Sequence, residues 1–413
     1  MLCPQCKNNI PQGQTDCDEC GFILAPVQNT SSGSFYNPPS GGSQSNPQTT
    51  QTQTGRVACD SEQCLKQKLT APVTATYCSY CQNLLPLPVG ATLNNGRWVI
   101  LSIIGRGGMG RIYCAKDNQT NSEVVVKELL DEQGRPQIEK EVYLDHFKNE
   151  SQVLGSVKQV RAVPELIYDY TVEGSRHYFV MEFIDGVDLG DLVKKKAGFL
   201  EVKQVIQYGI NICEVLEILH QRNPPIVHRD IKPDNMRLRT SNNSVALLDF
   251  GVARNVREGT KLTKLGTPGY VSPEQARGAA EPRSDLYSLA ASLYSLLSYV
   301  IPEDDLSKKP GTLRQINSQV TSDLEAIILA NLHDSPNERY SSATELKQDL
   351  RQGKMTQTIP CPQCKTLNHR NLIYCTNDGM LLNNQSRQCA NSSCRNLIPF
   401  RAKFCPHCGS KQS

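Results

Sequence analysis

The 413-residue chain has little from which a membrane or secreted protein is built. Aromatic residues make up 6%, with one tryptophan, and the longest apolar stretch, Leu286 to Ile301, is interrupted by serines and tyrosines and is too short and polar to cross a bilayer. The opening Met1-Leu2-Cys3-Pro4-Gln5-Cys6 lacks a basic segment followed by an apolar one, so no secretory leader is expected and the chain is placed in the reducing cytoplasm. Net charge is only +3, unevenly spread: residues 1–89 carry four basic and five acidic side chains, residues 353–413 eight basic and one acidic. That basic tail suggests nucleic acid or an anionic membrane until metal is counted. A Zn²⁺ held by four thiolates is a net −2 site, and two such sites remove much of the excess. Neither nucleic acid nor membrane is therefore an expected partner.

Cysteine is what the chain has in quantity. Of seventeen, all but Cys114 and Cys213 lie outside the central region, and they come in pairs, which in a reducing compartment favours metal over disulfides. The order is Cys3-x2-Cys6 with Cys17-x2-Cys20, then Cys59-x4-Cys64 with Cys78-x2-Cys81. A second series runs Cys361-x2-Cys364 with Cys375-x2-Asp378, then Cys389-x4-Cys394 with Cys405-x2-Cys408. CPQCK occurs at both Cys3 and Cys361, so an internal duplication is the simplest account. Each knuckle presents two sulfurs on one side and a short loop brings the second pair opposite, which suits tetrahedral Zn²⁺; units this small need such a staple to fold. His407 is read as a knuckle residue and not a ligand. In the third unit Asp378 stands where the first has Cys20, so Asp378 completes the shell, or His369 does, or the site is lost.

The expected organisation is four modules resembling zinc ribbons, at 1–24, 56–85, 359–382 (degenerate) and 387–410, around a central domain at 92–352. Residues 25–55, dominated by Ser, Gly, Asn, Gln, Thr and Pro without a single charge, read as a disordered linker. A Pro-rich hinge, Leu84 to Gly90, leads into the domain.

That domain opens on a strand, Trp98 to Ile104, followed by Gly105-Arg106-Gly107-Gly108-Met109-Gly110-Arg111-Ile112. A G-x-G-x-x-G string alone also fits a dinucleotide fold, but a helix would then follow. Here Arg111 to Lys116 alternates like a strand and a second strand, Glu123 to Lys127, succeeds it, so the glycines form a phosphate lid between strands. Further on stand His228-Arg229-Asp230-Ile231-Lys232-Pro233-Asp234-Asn235 and Leu247-Leu248-Asp249-Phe250-Gly251, two independent strings in order. With Gly266-Thr267-Pro268-Gly269-Tyr270 and Ser272-Pro273-Glu274, the sequence over 92–352 resembles the eukaryotic-like (Hanks-type) serine/threonine protein kinases, in wording like the bacterial members.

The resemblance implies an α+β, two-lobed fold with a β-rich N-lobe and a helical C-lobe, ATP with Mg²⁺ (or Mn²⁺) as cofactors, and protein substrates. It implies Asp230 as catalytic base, Lys232 at the transferring phosphate, and Asn235 and Asp249 as Mg²⁺ ligands. Lys127 would hold the α- and β-phosphates and pair with Glu150, chosen over Glu139 and Glu141 in the helical segment 137–157. Ile104 to Ile112 would cover the nucleotide, and Met181, Glu182 and Ile184 would form the adenine hinge with Met181 as gatekeeper. Glu274 is expected to pair with Arg339, and Asp285 to brace the catalytic loop or its own helix. Arg229 beside Asp230 suggests ordering by a phosphate in the activation segment, with autophosphorylation at Thr260 or Thr263. The ribbons are expected to recruit partners or to sense metal or redox state.

Overall fold

The structure is a computed structural model; it describes residues 55–106, 110–130, 136–158, 160–196, 198–250, 254–255, 267–301, 311–382, 386–394, 396–399, 403–405 and 407–411. The expected first ribbon, most of the expected linker, lid residues Gly107, Gly108 and Met109, and Thr260 and Thr263 lie outside them.

A short module comes first: β1 (Arg56–Ala58) pairs antiparallel with β2 (Thr70–Pro72) around α1 (Glu62–Lys66), whose N-cap Ser61 accepts from Cys64 N. The N-lobe follows as a six-stranded antiparallel sheet. Its strands are β3 (Thr92–Leu93), β4 (Trp98–Arg106), β5 (Gly110–Asp117), β6 (Ser122–Leu129), β7 (Leu166–Glu173) and β8 (Arg176–Glu182), in the order β3-β4-β5-β6-β8-β7. Alternation along the strands makes two faces. Outward, Trp98, Ile100, Tyr113, Ala115, Val124, Val126, Tyr178 and Val180 form a core of their own, with Trp98 edge-on to Tyr168 at 4.9 Å between ring centroids. Leu87 of the Pro-rich segment packs on this core and donates its N–H to Tyr113 Oη, so the segment is part of the lobe's wall. Inward, α2 (Gln137–Ser156) lays Phe147, Val153 and Leu154 against the sheet, with Phe147 5.0 Å from Phe179.

The C-lobe is helical except for a small sheet of β9 (Gly186–Asp188), β11 (Met236–Arg239) and β12 (Val245–Leu247), and a two-residue pair of β10 (Ile226–Val227) with β13 (Arg254–Asn255). Its helices are α3 (Leu189–Lys196), α4 (Val202–His220), α5 (Pro273–Ala276), α6 (Pro282–Ser298), α7 (Thr312–Ile316), α8 (Ser322–Asn331) and α9 (Ala343–Gln352). Helix α6 runs through the middle, every residue from Ser284 to Ser298 buried. Its serines permit this: Ser288, Ser292 and Ser298 each return their hydroxyl to the carbonyl four residues earlier, at 3.1, 2.8 and 2.8 Å, so these three hydroxyls are buried with a partner. The serine-broken apolar run of the sequence is therefore a central core helix. Among the described residues no helix is long and apolar enough to cross a membrane.

Two further hairpins close the chain, β14 (Thr358–Pro360) with β15 (Leu367–His369) and β16 (Ser386–Gln388) with β17 (Leu397–Pro399). Each of the three described modules adds one isolated bridge at equivalent places, Tyr77 to Leu84, Tyr374 to Leu381 and Phe404 to Lys411. The three described modules thus share a hairpin followed by a bridge at equivalent places.

Trp98, fully buried, is the keystone of the outer N-lobe core. Trp98→Ala is expected to lower unfolding free energy by about 3–5 kcal/mol, read from urea unfolding followed by circular dichroism; a loss below about 1 kcal/mol would contradict this packing.

Candidate active site and metal centres

The hairpin of β4 and β5 pairs Gly105 with Ile112 and Arg106 with Arg111 on either side of the lid tip. Next to it, β6 places Lys127 opposite Ile112, on the inward face. From there Lys127 Nζ reaches Glu150 Oε1 of α2 at 2.5 Å and Asp249 Oδ1 of the C-lobe at 3.2 Å. Burial works against the ammonium, but the charges of Asp249 and Glu150 outweigh it and hold the Lys127 pKa above the ordinary lysine value. Asp249 itself is half-exposed, with φ of 59°, while its neighbour Phe250 is buried in the core edge-on to His228.

The catalytic loop gathers a second group. Asn235 Nδ2 donates to Asp230 Oδ2 at 2.9 Å, and Lys232 Nζ lies 3.0 Å from the same oxygen. Thr267, read in the sequence only as part of the string Gly266 to Tyr270, joins them: its hydroxyl donates to Asp230 Oδ1 at 3.1 Å and accepts from Lys232 at 2.7 Å. Asp285, fully buried in the first turn of α6, accepts from the backbone N–H of His228 and of Arg229, both at 2.9 Å, and contacts His220 Nε2 at 2.8 Å. The helix is capped separately by Glu281 and Ser284, so of the two roles expected for Asp285 the structure shows the brace on the loop. Leu248 N–H donates to Asn235 O at 2.8 Å, tying the loop to the segment that leads from β12 to Asp249.

At the expected hinge, Met181 packs on the main core and Ile184 is buried, its carbonyl accepting from Arg237 Nε at 2.8 Å. The Glu182 carboxylate takes a bidentate pair from Arg239, at 2.5 and 3.0 Å, and its N–H donates to Glu165 O. Arg237 also reaches Asp188 Oδ1 at 3.0 Å. Neither arginine belongs to a motif in the sequence; their alternation with Met236 and Leu238 is the only local signal of their place. Ile104 is half-buried at the end of β4.

Arg106 and Arg111 require a correction. Both were expected over the nucleotide, but strand parity puts them on the face opposite Ile112 and Lys127. Arg111 is buried, donating to Asp60 of the first described module at 2.5 and 2.7 Å and to Glu128 at 3.1 Å, and Arg106 Nε lies 3.5 Å from Asp60.

Glu274 and Arg339 form a bidentate pair at 2.7 and 2.8 Å, with Ser284 donating to the same carboxylate. Burial opposes the charge on Glu274, but Arg339 and the two serines, Ser272 and Ser284, hold its pKa below the ordinary glutamate value.

Three clusters bring four ligand atoms each within 4.8 Å of one another: Cys59, Cys64, Cys78 and Cys81; Cys389, Cys394, Cys405 and Cys408; and Cys361, Cys364 and Cys375 with Asp378. Closest sulfur pairs are 3.5 and 3.8 Å in the first, 3.7 and 3.8 Å in the second, and 3.6 Å in the third. A tetrahedron with Zn–S of about 2.3 Å has edges of about 3.8 Å, and a disulfide would be about 2.05 Å, so the donor sets fit the metal. His369 lies elsewhere: it is buried, stacked on Tyr340 at 4.2 Å and 3.2 Å from Glu345 Oε1. It joins its module to the C-lobe, alongside Asn371 Nδ2, which donates to Arg339 O at 2.7 Å.

A β-rich lobe and a helical lobe facing each other across Lys127, Glu150 and Asp249, with Asp230 and Asn235 beneath, define a kinase of the bacterial Hanks type. The chain belongs to the protein kinase family: residues 98–352 match the protein kinase domain. It is similar to the serine/threonine-protein kinase PknB of Mycobacterium leprae, 31% identical over 302 residues, 68% of this chain and 47% of that protein. PknB of Mycolicibacterium smegmatis is 32% identical over 274 residues, 62% and 42% of the two chains. This chain thus spans less than half the length of the curated relatives it matches. The crystal structure of the Mycobacterium tuberculosis PknI kinase domain shares the fold, with TM-score 0.51 and 21% identity over 65% of this chain and 99% of that one.

Removing Arg339 leaves the Glu274 carboxylate buried without its cation. Arg339→Met is expected to cost about 3–5 kcal/mol of stability at neutral pH, measured by denaturant unfolding. Because the Glu274 pKa is depressed on folding, its contribution is present above the ordinary glutamate pKa and lost as pH falls through the folded value. The variant should therefore lose less stability than wild type on acidification below about pH 4.5; an identical pH profile would contradict the pairing.

Proposed function

We propose that the chain is an ATP-dependent serine/threonine protein kinase of the cytoplasm, transferring the γ-phosphate to protein hydroxyls with Asp230 as base. The observation that carries this reading is the simultaneous engagement of Lys127 by Glu150 and Asp249, the arrangement that phosphoryl transfer requires of this fold. ATP with a divalent cation would supply the transferable phosphoryl group. The donor set fits the cation: Asp249 offers a half-exposed carboxylate, and Asn235, its amide nitrogen committed to Asp230, has its oxygen left to present. Lys127 would neutralise the phosphates that do not move. Asn235 and Lys232 hold Oδ2 of Asp230 while Thr267 donates to Oδ1, so Oδ1 would accept the proton of a hydroxyl and Lys232 places a cation beside the other carboxylate oxygen. A seryl or threonyl substrate would displace Thr267 from Asp230, which makes Thr267 a stand-in for the acceptor. Thr260 and Thr263 remain the proposed autophosphorylation sites, and protein substrates the proposed partners.

Transfer from γ-labelled ATP to the chain itself and to a basic protein substrate tests this. Asp230→Asn is expected to lower kcat by about 10²–10⁴-fold with nucleotide binding retained. Equal transfer by wild type and variant would remove Asp230 from the role; binding of ATP by wild type without any transfer would favour a non-catalytic scaffold.

The cysteine modules are proposed to hold structural zinc. With Asp378 at its cluster and His369 turned away, Asp378→Ala should lower the zinc content by one ion per chain and His369→Gln by none, measured by inductively coupled plasma mass spectrometry. The reverse pattern would exchange the two assignments.

A further inference from the structure

The module at 56–85 does not hang beside the kinase domain; it is bolted to the root of the nucleotide lid. Arg106 and Arg111 are the last register partners before the tip and share the outer face of the hairpin. One carboxylate, Asp60, serves both: it accepts from Arg111 Nε and Nη2 at 2.5 and 2.7 Å and lies 3.5 Å from Arg106 Nε. Around it, Arg111 donates to Leu84 O at 2.5 Å and to Glu128, Arg176 bridges Glu128 to Leu85 O, and Tyr113 Oη donates to Glu128 at 2.7 Å. A buried guanidinium leaves its partners only at high cost, so this joint is rigid while Asp60 is in place.

Asp60 is placed by the metal cluster. It stands between ligand Cys59 and Ser61, which caps α1 through Cys64 N and donates to Cys81 Sγ at 3.4 Å. The core of the module consists of Cys59, Cys64, Ala71, Cys78 and Leu85, too little to fold without the ion.

Resting on the kinase reading above, we propose that Asp60 is a positioning residue for nucleotide binding, and that the metal-loaded 56–85 module sets the affinity for ATP by clamping both stems of the lid. The sequence analysis allowed the ribbons a sensing role; this geometry gives the second one a path to the site.

The experiment uses the full chain and its variants Asp60→Asn, which keeps the shape, and Asp60→Glu, which keeps the charge. KM for ATP and kcat are read separately, together with the Kd of a fluorescent ATP analogue, zinc content and hydrogen exchange of the amides 110–113. The expected result for Asp60→Asn is about a tenfold rise in both Kd and KM for nucleotide, with a much smaller change in kcat and KM for protein substrate. Zinc content stays the same, exchange at 110–113 accelerates, and Asp60→Glu recovers part of the affinity. Zinc removal by a chelator should reproduce the loss of affinity and of protection. Unchanged nucleotide Kd and unchanged exchange in Asp60→Asn would overturn the proposal while leaving the kinase reading intact. A wild type that transfers no phosphate would instead sink that reading, and the Kd and exchange measurements would still decide the role of Asp60.

Discussion

The Lys127 ammonium is where the two lobes meet chemically. It rises from the N-lobe sheet, is gripped by Glu150 of α2 and reaches Asp249 of the C-lobe, so its placement depends on sheet, helix and lobe orientation together. A largely buried ammonium flanked by two carboxylates is held best while both remain, since losing either weakens the compensation of a charge mostly out of water. The position of α2 and the inward turn of Asp249 are therefore linked by electrostatics. The rest of the catalytic region follows the same logic: Asp285 holds the loop by its backbone, and the loop holds Asp230 through Asn235 and Lys232.

The accessory modules are joined to this machinery at two structurally sensitive places. One meets the outer face of the lid hairpin through Asp60, Arg111 and Glu128. Another meets the segment that carries Arg339, the partner of Glu274, through Asn371 and His369. In both cases a small unit with almost no core is stapled by a donor cluster and delivers a polar contact to a buried arginine or its backbone. With metal bound, such units would gain stability from the ion as well as from the domain they contact.

The meeting of Lys127, Asp249 and the loop around Asp230 was legible because the proposed phosphoryl transfer needs particular groups in a particular order, and these appear as strings in the sequence. The choice of Glu150 needed only the spacing of apolar residues along α2. Arg111 was misplaced for a physical reason. A motif reports position along a strand, whereas function depends on which face a side chain takes, and parity with Lys127 through Ile112 separates Arg111 from the cleft. Asp60 was invisible because its partners Arg106 and Arg111 are distant in sequence and nothing in its own surroundings marks it. The brace of Asp285 on the loop was one of two roles the sequence left open, whereas the bond of Thr267 to Asp230 depends on tertiary packing. For the third module the sequence left Asp378, His369 or a lost site open; the structure puts Asp378 among the three thiols and His369 on Tyr340.

The most direct test of the whole account is phosphoamino-acid analysis of a protein substrate incubated with the full chain, γ-labelled ATP and Mg²⁺. The account predicts label on serine and threonine and none on tyrosine, with transfer dependent on the divalent cation. Label on tyrosine, or nucleotide bound without label on any residue, would contradict it.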